Sequence, residues 1–130
     1  MSALQSVATD TSAEAEREIL FRVVNRVAII TLNRPAALNA LSHAMVRELA
    51  VLVEHCRTDD GIVALVLKGA GAKGFCAGGD VRALCEAVAG GQPELAERFL
   101  AAEYHVNAAI AEYPLPVIAF ADGVTMGGGI

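Results

Sequence analysis

Two glycine-rich stretches hold the residues best suited to chemistry, "FCAGGD" at 75–80 and "TMGGG" at 125–129. Small residues ahead of a helix leave backbone N–H groups unshielded by side chains, and such groups bind a phosphate or an oxyanion. An ordinary glycine-rich strand-to-helix loop has the same composition, so the first stretch alone does not decide between the two. The second follows another apolar run, "PVIAFA" at 116–121. In an α/β sheet, loops at the carboxyl ends of strands open onto one crevice. Two backbone donors from separate loops converging on one point are what an oxyanion hole requires. A thioester carbonyl is a natural guest, because its enolate or tetrahedral adduct carries negative charge on oxygen.

Glu103 is the third candidate. Leu95, Phe99, Val106 and Ile110 form one helical stripe, and position 103 falls within it. A carboxylate facing a core is costly unless it is paired or wet. It is either at the stripe's edge with its head in water, or it lines a pocket with a raised pKa. Asp80 opens a helix at its positive end and could also touch a ligand. His43, His55 and His105 have no ligand-like spacing, Ser42-His43 lacks the third member of a triad, and Cys76 has no histidine placed to activate it. Gly69, Gly71 and Gly74 spell G-x-G-x-x-G, but the stretch runs on as a loop where a dinucleotide fingerprint needs a helix.

The elements that must position these groups follow from the pattern. "ILFRVVNRVAIITLN" reads as a hairpin of strands 19–24 and 27–32 turning at Asn25-Arg26, a weaker turn signal than Asn-Gly. Pro35 ends the second strand and "RPAALNAL" is a loop. Ser42 caps a helix to about Cys56 whose stripe is Met45, Leu49, Leu52, Val53 and Cys56. "IVALVLKG", 62–69, is apolar on both faces, as a strand inside a parallel sheet should be. Helices at about 81–89 and 94–112 and a strand at "VIAFA" complete an α/β order. Residues 1–17 read as a flexible leader and 18–130 as the domain.

Composition sets the outer limits. Hydrophobic residues make up 55% of 130, yet no apolar run reaches the roughly 18 residues of a membrane span. The excess suits burial against a partner or against residues outside this sequence, and a homo-oligomer is expected. A formal net charge of -5 argues against nucleic acid, which needs a basic patch. Cysteines 56, 76 and 85 are odd in number and without metal-like spacing, and read as reduced thiols in a cytoplasmic protein.

On "ITLNRPAALNALS", "KGFCAGGDVRAL" and "PVIAFADGVTMGGG", in that order, the chain resembles the crotonase (enoyl-CoA hydratase/isomerase) superfamily from about Ile19 to Ile130. "FLAAEYHVNAAIAEYPLPVIAF" and the form of the other two motifs resemble most its 3-hydroxyisobutyryl-CoA hydrolase branch. The resemblance implies the N-terminal part of a repeated ββα spiral that binds acyl-CoA thioesters. It implies an oxyanion hole from the N–H groups of Ala77 and Gly128, and a substrate-pocket role for Glu103. Ala37, Leu38, Gly78, Gly79 and Asp80 would then lie along the coenzyme A moiety. It calls for no metal and no separate cofactor, coenzyme A being part of the substrate. The alternatives are an enoyl-CoA hydratase or isomerase using the same hole for an enolate, and a truncated, non-catalytic protein that binds CoA thioesters or only assembles. The residue that separates hydratase from hydrolase in the family falls just past Ile130.

Overall fold

The computed structural model describes residues 16–130, so most of the 1–17 leader lies outside the described residues. Strands β1 (Ile19–Val24) and β2 (Val27–Leu32) pair antiparallel with Val24 opposite Val27. Asn25 and Arg26 both take positive φ, 49° and 68°, the two-residue turn whose twist matches a hairpin. Arginine has no intrinsic liking for that conformation. It is held there from outside: Arg26 Nε donates to Gly61 O at 3.0 Å, and the Arg26 carbonyl accepts the Val63 N–H at 2.9 Å.

Helix α1 (His43–Thr58) starts where Ser42 accepts the Met45 N–H through Oγ at 3.2 Å. It buries Met45, Val46, Leu49, Val53 and Cys56; Leu52 stands half-buried at the stripe's edge and Val46 takes its place in the core. Strand β3 (Ala64–Gly69) joins β2 in parallel, and β5 (Val117–Ala119) joins β3 in parallel, giving the order β1-β2-β3-β5. Adjacent Leu65 and Val66 are both buried, which accounts for the unbroken apolar run in β3. Ile30, Leu65, Met45 and Val53 are almost wholly removed from water, each contributing roughly 1.5–3 kcal/mol.

The sequence reading treats 69–80 as one loop. The structure places a short strand in it, β4 (Gly74–Cys76), paired in parallel with β6 (Val124–Thr125) as a second sheet. Three residues are too few to show a period, and the partner lies far along the chain. Gly74 therefore opens a strand where a dinucleotide fingerprint would need a helix. Helix α2 (Val81–Ala89) has no buried residue and leans on α3 (Pro93–Ala111), which packs across α1. The two glycine-rich stretches leave β4 and β6 side by side, which brings them together at one end of the second sheet.

Candidate functional site

The first glycine turn is laced to the segment that follows β2. Ala77 N–H donates to Leu38 O at 3.1 Å, Leu41 N–H to Gly78 O at 2.7 Å, and Asp80 N–H to Leu41 O at 2.9 Å. Ala37 ends a 3-10 turn, Pro35–Ala37, and Leu38 and Asn39 then hold φ of 52° and 56°. This segment is fixed by Asn39, whose side chain is 0% exposed. Asn39 Oδ1 accepts the Arg34 N–H at 2.8 Å, and Nδ2 donates to Ala70 O at 3.0 Å and to Gly74 O at 2.8 Å. Ala37 and Leu38 are thus brought beside the 77–80 loop.

Ala77 differs from its expected role. Its N–H, expected to face a ligand, is already spent on Leu38 O. The Gly78 N–H lies against the Cys76 thiol. Gly79 is left as the residue of this turn whose N–H donates to no acceptor among the described residues, and the same holds for Gly127 and Gly128 in the second turn, of which Gly128 faces Gly78 and Glu103. Gly127–Gly129 form a 3-10 turn, and a side chain at Gly129 would run into the Cys76 carbonyl. A Cβ on Gly78 would stand 3.2 Å from Gly128 N, so the two turns are in direct contact.

Glu103 completes the arrangement. The residue is 8% exposed, on the same α3 face as buried Phe99 and Val106, so it is inside the stripe and not at its edge. Its carboxylate stands between the two turns: a Cβ on Gly79 would lie 3.4 Å from Oε2, and one on Gly128 would overlap Oε1. Among the described residues it has no hydrogen-bond or ion-pair partner, and burial pushes its pKa up. The Cys76 thiol beside it is raised as well, by burial first and by the Glu103 charge in addition, which makes it a poor nucleophile. Below the turns lies a mostly apolar cavity of about 340 Å³ bordered by Cys76, Val106, Ile110, Gly128 and Gly129.

Asp80 is engaged through both oxygens. Oδ1 caps α2 through the Ala83 N–H at 3.1 Å and Oδ2 takes Arg34 Nη1 at 2.9 Å, which together hold its pKa down. Ser42 is a cap whose hydroxyl donates to Glu18 at 2.6 Å, and His43 sits edge-on to Phe99 at 6.0 Å, with no triad between them. Among the described residues no group of three His, Cys, Asp or Glu could hold a metal ion. The sequence reading missed Arg34 and Asn39. Both lie in the quoted motif "NRPAALNA", and a polar pair bracketing a proline turn is the signal that was there to read.

The arrangement of strands and helices is that of solved crotonase-fold enzymes. An enoyl-CoA hydratase from Rhodobacter sphaeroides 2.4.1 matches this fold with a TM-score of 0.82 and 39% identity, over 87% of this chain and 34% of that one. A carnitinyl-CoA dehydratase from Mycobacterium thermoresistibile does so with 0.84 and 42%, over 88% and 33%. The enoyl-CoA hydratase/isomerase family model matches residues 27–130, and the chain belongs to that family. The 3-hydroxyisobutyryl-CoA hydrolase, mitochondrial, of Danio rerio is 43% identical over 92% of this chain and 31% of its own length. A protein of another kind, small ribosomal subunit protein mS47 of Neurospora crassa, is 40% identical over 87% of this chain and 23% of its own. The chain spans about a third or less of these relatives. The mitochondrial label on the hydrolases gives no support to the cytoplasmic location expected from the cysteines. No helix among the described residues is long and apolar enough to cross a membrane.

Proposed function

We propose that this chain supplies the carbonyl-binding part of an acyl-CoA thioester enzyme, and that hydrolysis of 3-hydroxyisobutyryl-CoA is the reaction the observations favour. The observation that carries the reading is Glu103: a largely buried residue whose unpartnered carboxylate is held against Gly79 and Gly128, two glycines with uncommitted N–H groups. The thioester oxygen takes both N–H groups, which are worth most to it as negative charge builds during attack by water; loss of one such donor costs about 10²–10³ in turnover. Ala77 serves this reading as an anchor of the loop. Glu103 accepts a hydrogen bond from a hydroxyl on the acyl group, the polar partner its carboxylate lacks. Ala37, Leu38 and Gly78 flank the pantetheine side, and Asp80 holds the loop's end. No metal or separate cofactor takes part. Ile118, Phe120 and Met126 are exposed apolar side chains, which supports self-association, and a clean monomer by light scattering would count against it.

Hydration or isomerisation of an enoyl-CoA uses the same hole for an enolate, and the solved relatives favour it as the runner-up. The ribosomal relative favours a third reading, a non-catalytic assembly protein. Calorimetric titration with 3-hydroxyisobutyryl-CoA and crotonyl-CoA, followed by chromatographic product analysis, separates the three. Binding of both with release of 3-hydroxyisobutyrate supports the hydrolase. Faster conversion of crotonyl-CoA moves the reading to the hydratase, and absence of binding moves it to assembly.

A further inference from the structure

The Gly78-Gly79 peptide that presents the donor has little conformational preference of its own. Gly78 sits at φ +91°, and glycine on both sides of a peptide lets its plane turn over at small cost. Something outside the turn must hold it, and the hydrogen bonds show what does. Arg34 Nη1 donates to Ala40 O at 3.1 Å. The other end of that same peptide group, the Leu41 N–H, donates to Gly78 O at 2.7 Å. A trans peptide points its N–H opposite to its C=O, so the grip on Gly78 O aims the Gly79 N–H away from Leu41. Arg34, two peptide groups and the Gly79 N–H form one line of donors and acceptors, with a positive charge at its head.

We propose that Arg34 is the positioning residue for the carbonyl site. It orients and polarises the Gly79 N–H through the Ala40-Leu41 and Gly78-Gly79 peptides, since hydrogen bonds in series strengthen one another. Asp80 keeps the guanidinium at its post, its Oδ2 taking the same Nη1 at 2.9 Å. Glu18, with Oε1 3.9 Å from Arg34 Nε, holds the other side. The inference rests on the reading of Gly79 as a carbonyl donor, so its test needs one arm that involves no ligand.

In the first arm, isobutyryl-CoA carrying ¹³C at the thioester carbonyl is bound to the chain and its carbonyl stretch is followed by isotope-edited infrared difference spectroscopy. Wild type lowers the frequency on binding. Arg34→Met loses more than half of that shift while binding persists, and Arg34→Lys restores most of it. Asp80→Asn keeps the α2 cap, because asparagine caps as well as aspartate, and loses part of the shift by releasing Arg34. A full shift in the Arg34→Met complex overturns the proposal. In the second arm, without ligand, the Gly79 amide resonance and its hydrogen-exchange rate are compared in wild type, Arg34→Met and Arg34→Lys. Identical Gly79 amides in wild type and Arg34→Met overturn the proposal whatever the first arm gives. Failure of wild type to bind or shift the thioester removes the functional reading alone.

Discussion

Replacing Glu103 by glutamine should make the protein more stable at neutral pH and less useful. The wild-type residue is 8% exposed and has no partner among the described residues, and burial raises its pKa above the ordinary 4.5. Its carboxylate oxygens are not sealed from water, so the charge is only partly desolvated and costs less than the roughly 1–3 kcal/mol or more of a fully buried, unsatisfied group. Glutamine keeps the shape and removes the partly desolvated charge, so the gain at pH 7 should be at most about 1 kcal/mol, below the cost of a fully buried unsatisfied group. The sign with pH follows from linkage. A folded pKa raised above the unfolded value means that the folded state holds its proton longer, so wild type loses stability as pH rises through that interval. Below pH 4.5 the protonated glutamic acid and the glutamine are nearly equivalent, and the difference should vanish. Denaturant unfolding of both proteins across this range measures it, and 1 kcal/mol corresponds to a melting-temperature rise of roughly 2–8 °C. A glutamine variant less stable than wild type at pH 7, or a difference that does not change with pH, refutes the claim that the carboxylate is unpaired and desolvated.

Three further outcomes are expected. Gly128→Ala puts a methyl group onto Glu103 Oε1, an overpacking that should cost about 1–3 kcal/mol. The double variant Gly128→Ala/Glu103→Ala should recover most of that in a double-mutant cycle, and strict additivity would deny the contact. Ser42→Ala removes the cap on Met45 N–H and should cost about 1 kcal/mol by chemical denaturation. A thiol reagent should label exposed Cys85 first, while buried Cys76 and Cys56, the latter with its pKa pushed up to about 11 by burial and then by Asp59, wait for unfolding; mass spectrometry of the labelled peptides tells them apart.

Several of these features were legible in the order of residues. Ser42 read as a cap because its hydroxyl and the apolar spacing behind it act within one turn of helix. Glu103 stood out because a charged residue in an apolar stripe is improbable without a purpose. Others were not legible, for reasons of distance. Strand β4 is three residues whose partner β6 lies some fifty positions on, and neither has a period of its own. Asn25-Arg26 closes a hairpin with an arginine in a left-handed conformation only because Gly61 and Val63 hold it there. The pairing of Arg34 with Asp80 spans 46 positions and joins two helix starts that no local rule connects.

The sequence by itself determined the pieces: where the helices begin, which faces are apolar, and that two turns are stripped of side chains. Those properties depend on residues within a few positions of one another, so local stereochemistry and burial set them. It also marked the two turns and Glu103 as the places to look. Only the tertiary structure decided which N–H groups remain to be used. Ala77 and Gly79 stand two residues apart in one glycine-rich loop and cannot be told apart by composition. Leu38 O satisfies the first, and the grip of Leu41 on Gly78 turns the second outward, so the choice between them belongs to a segment forty residues away.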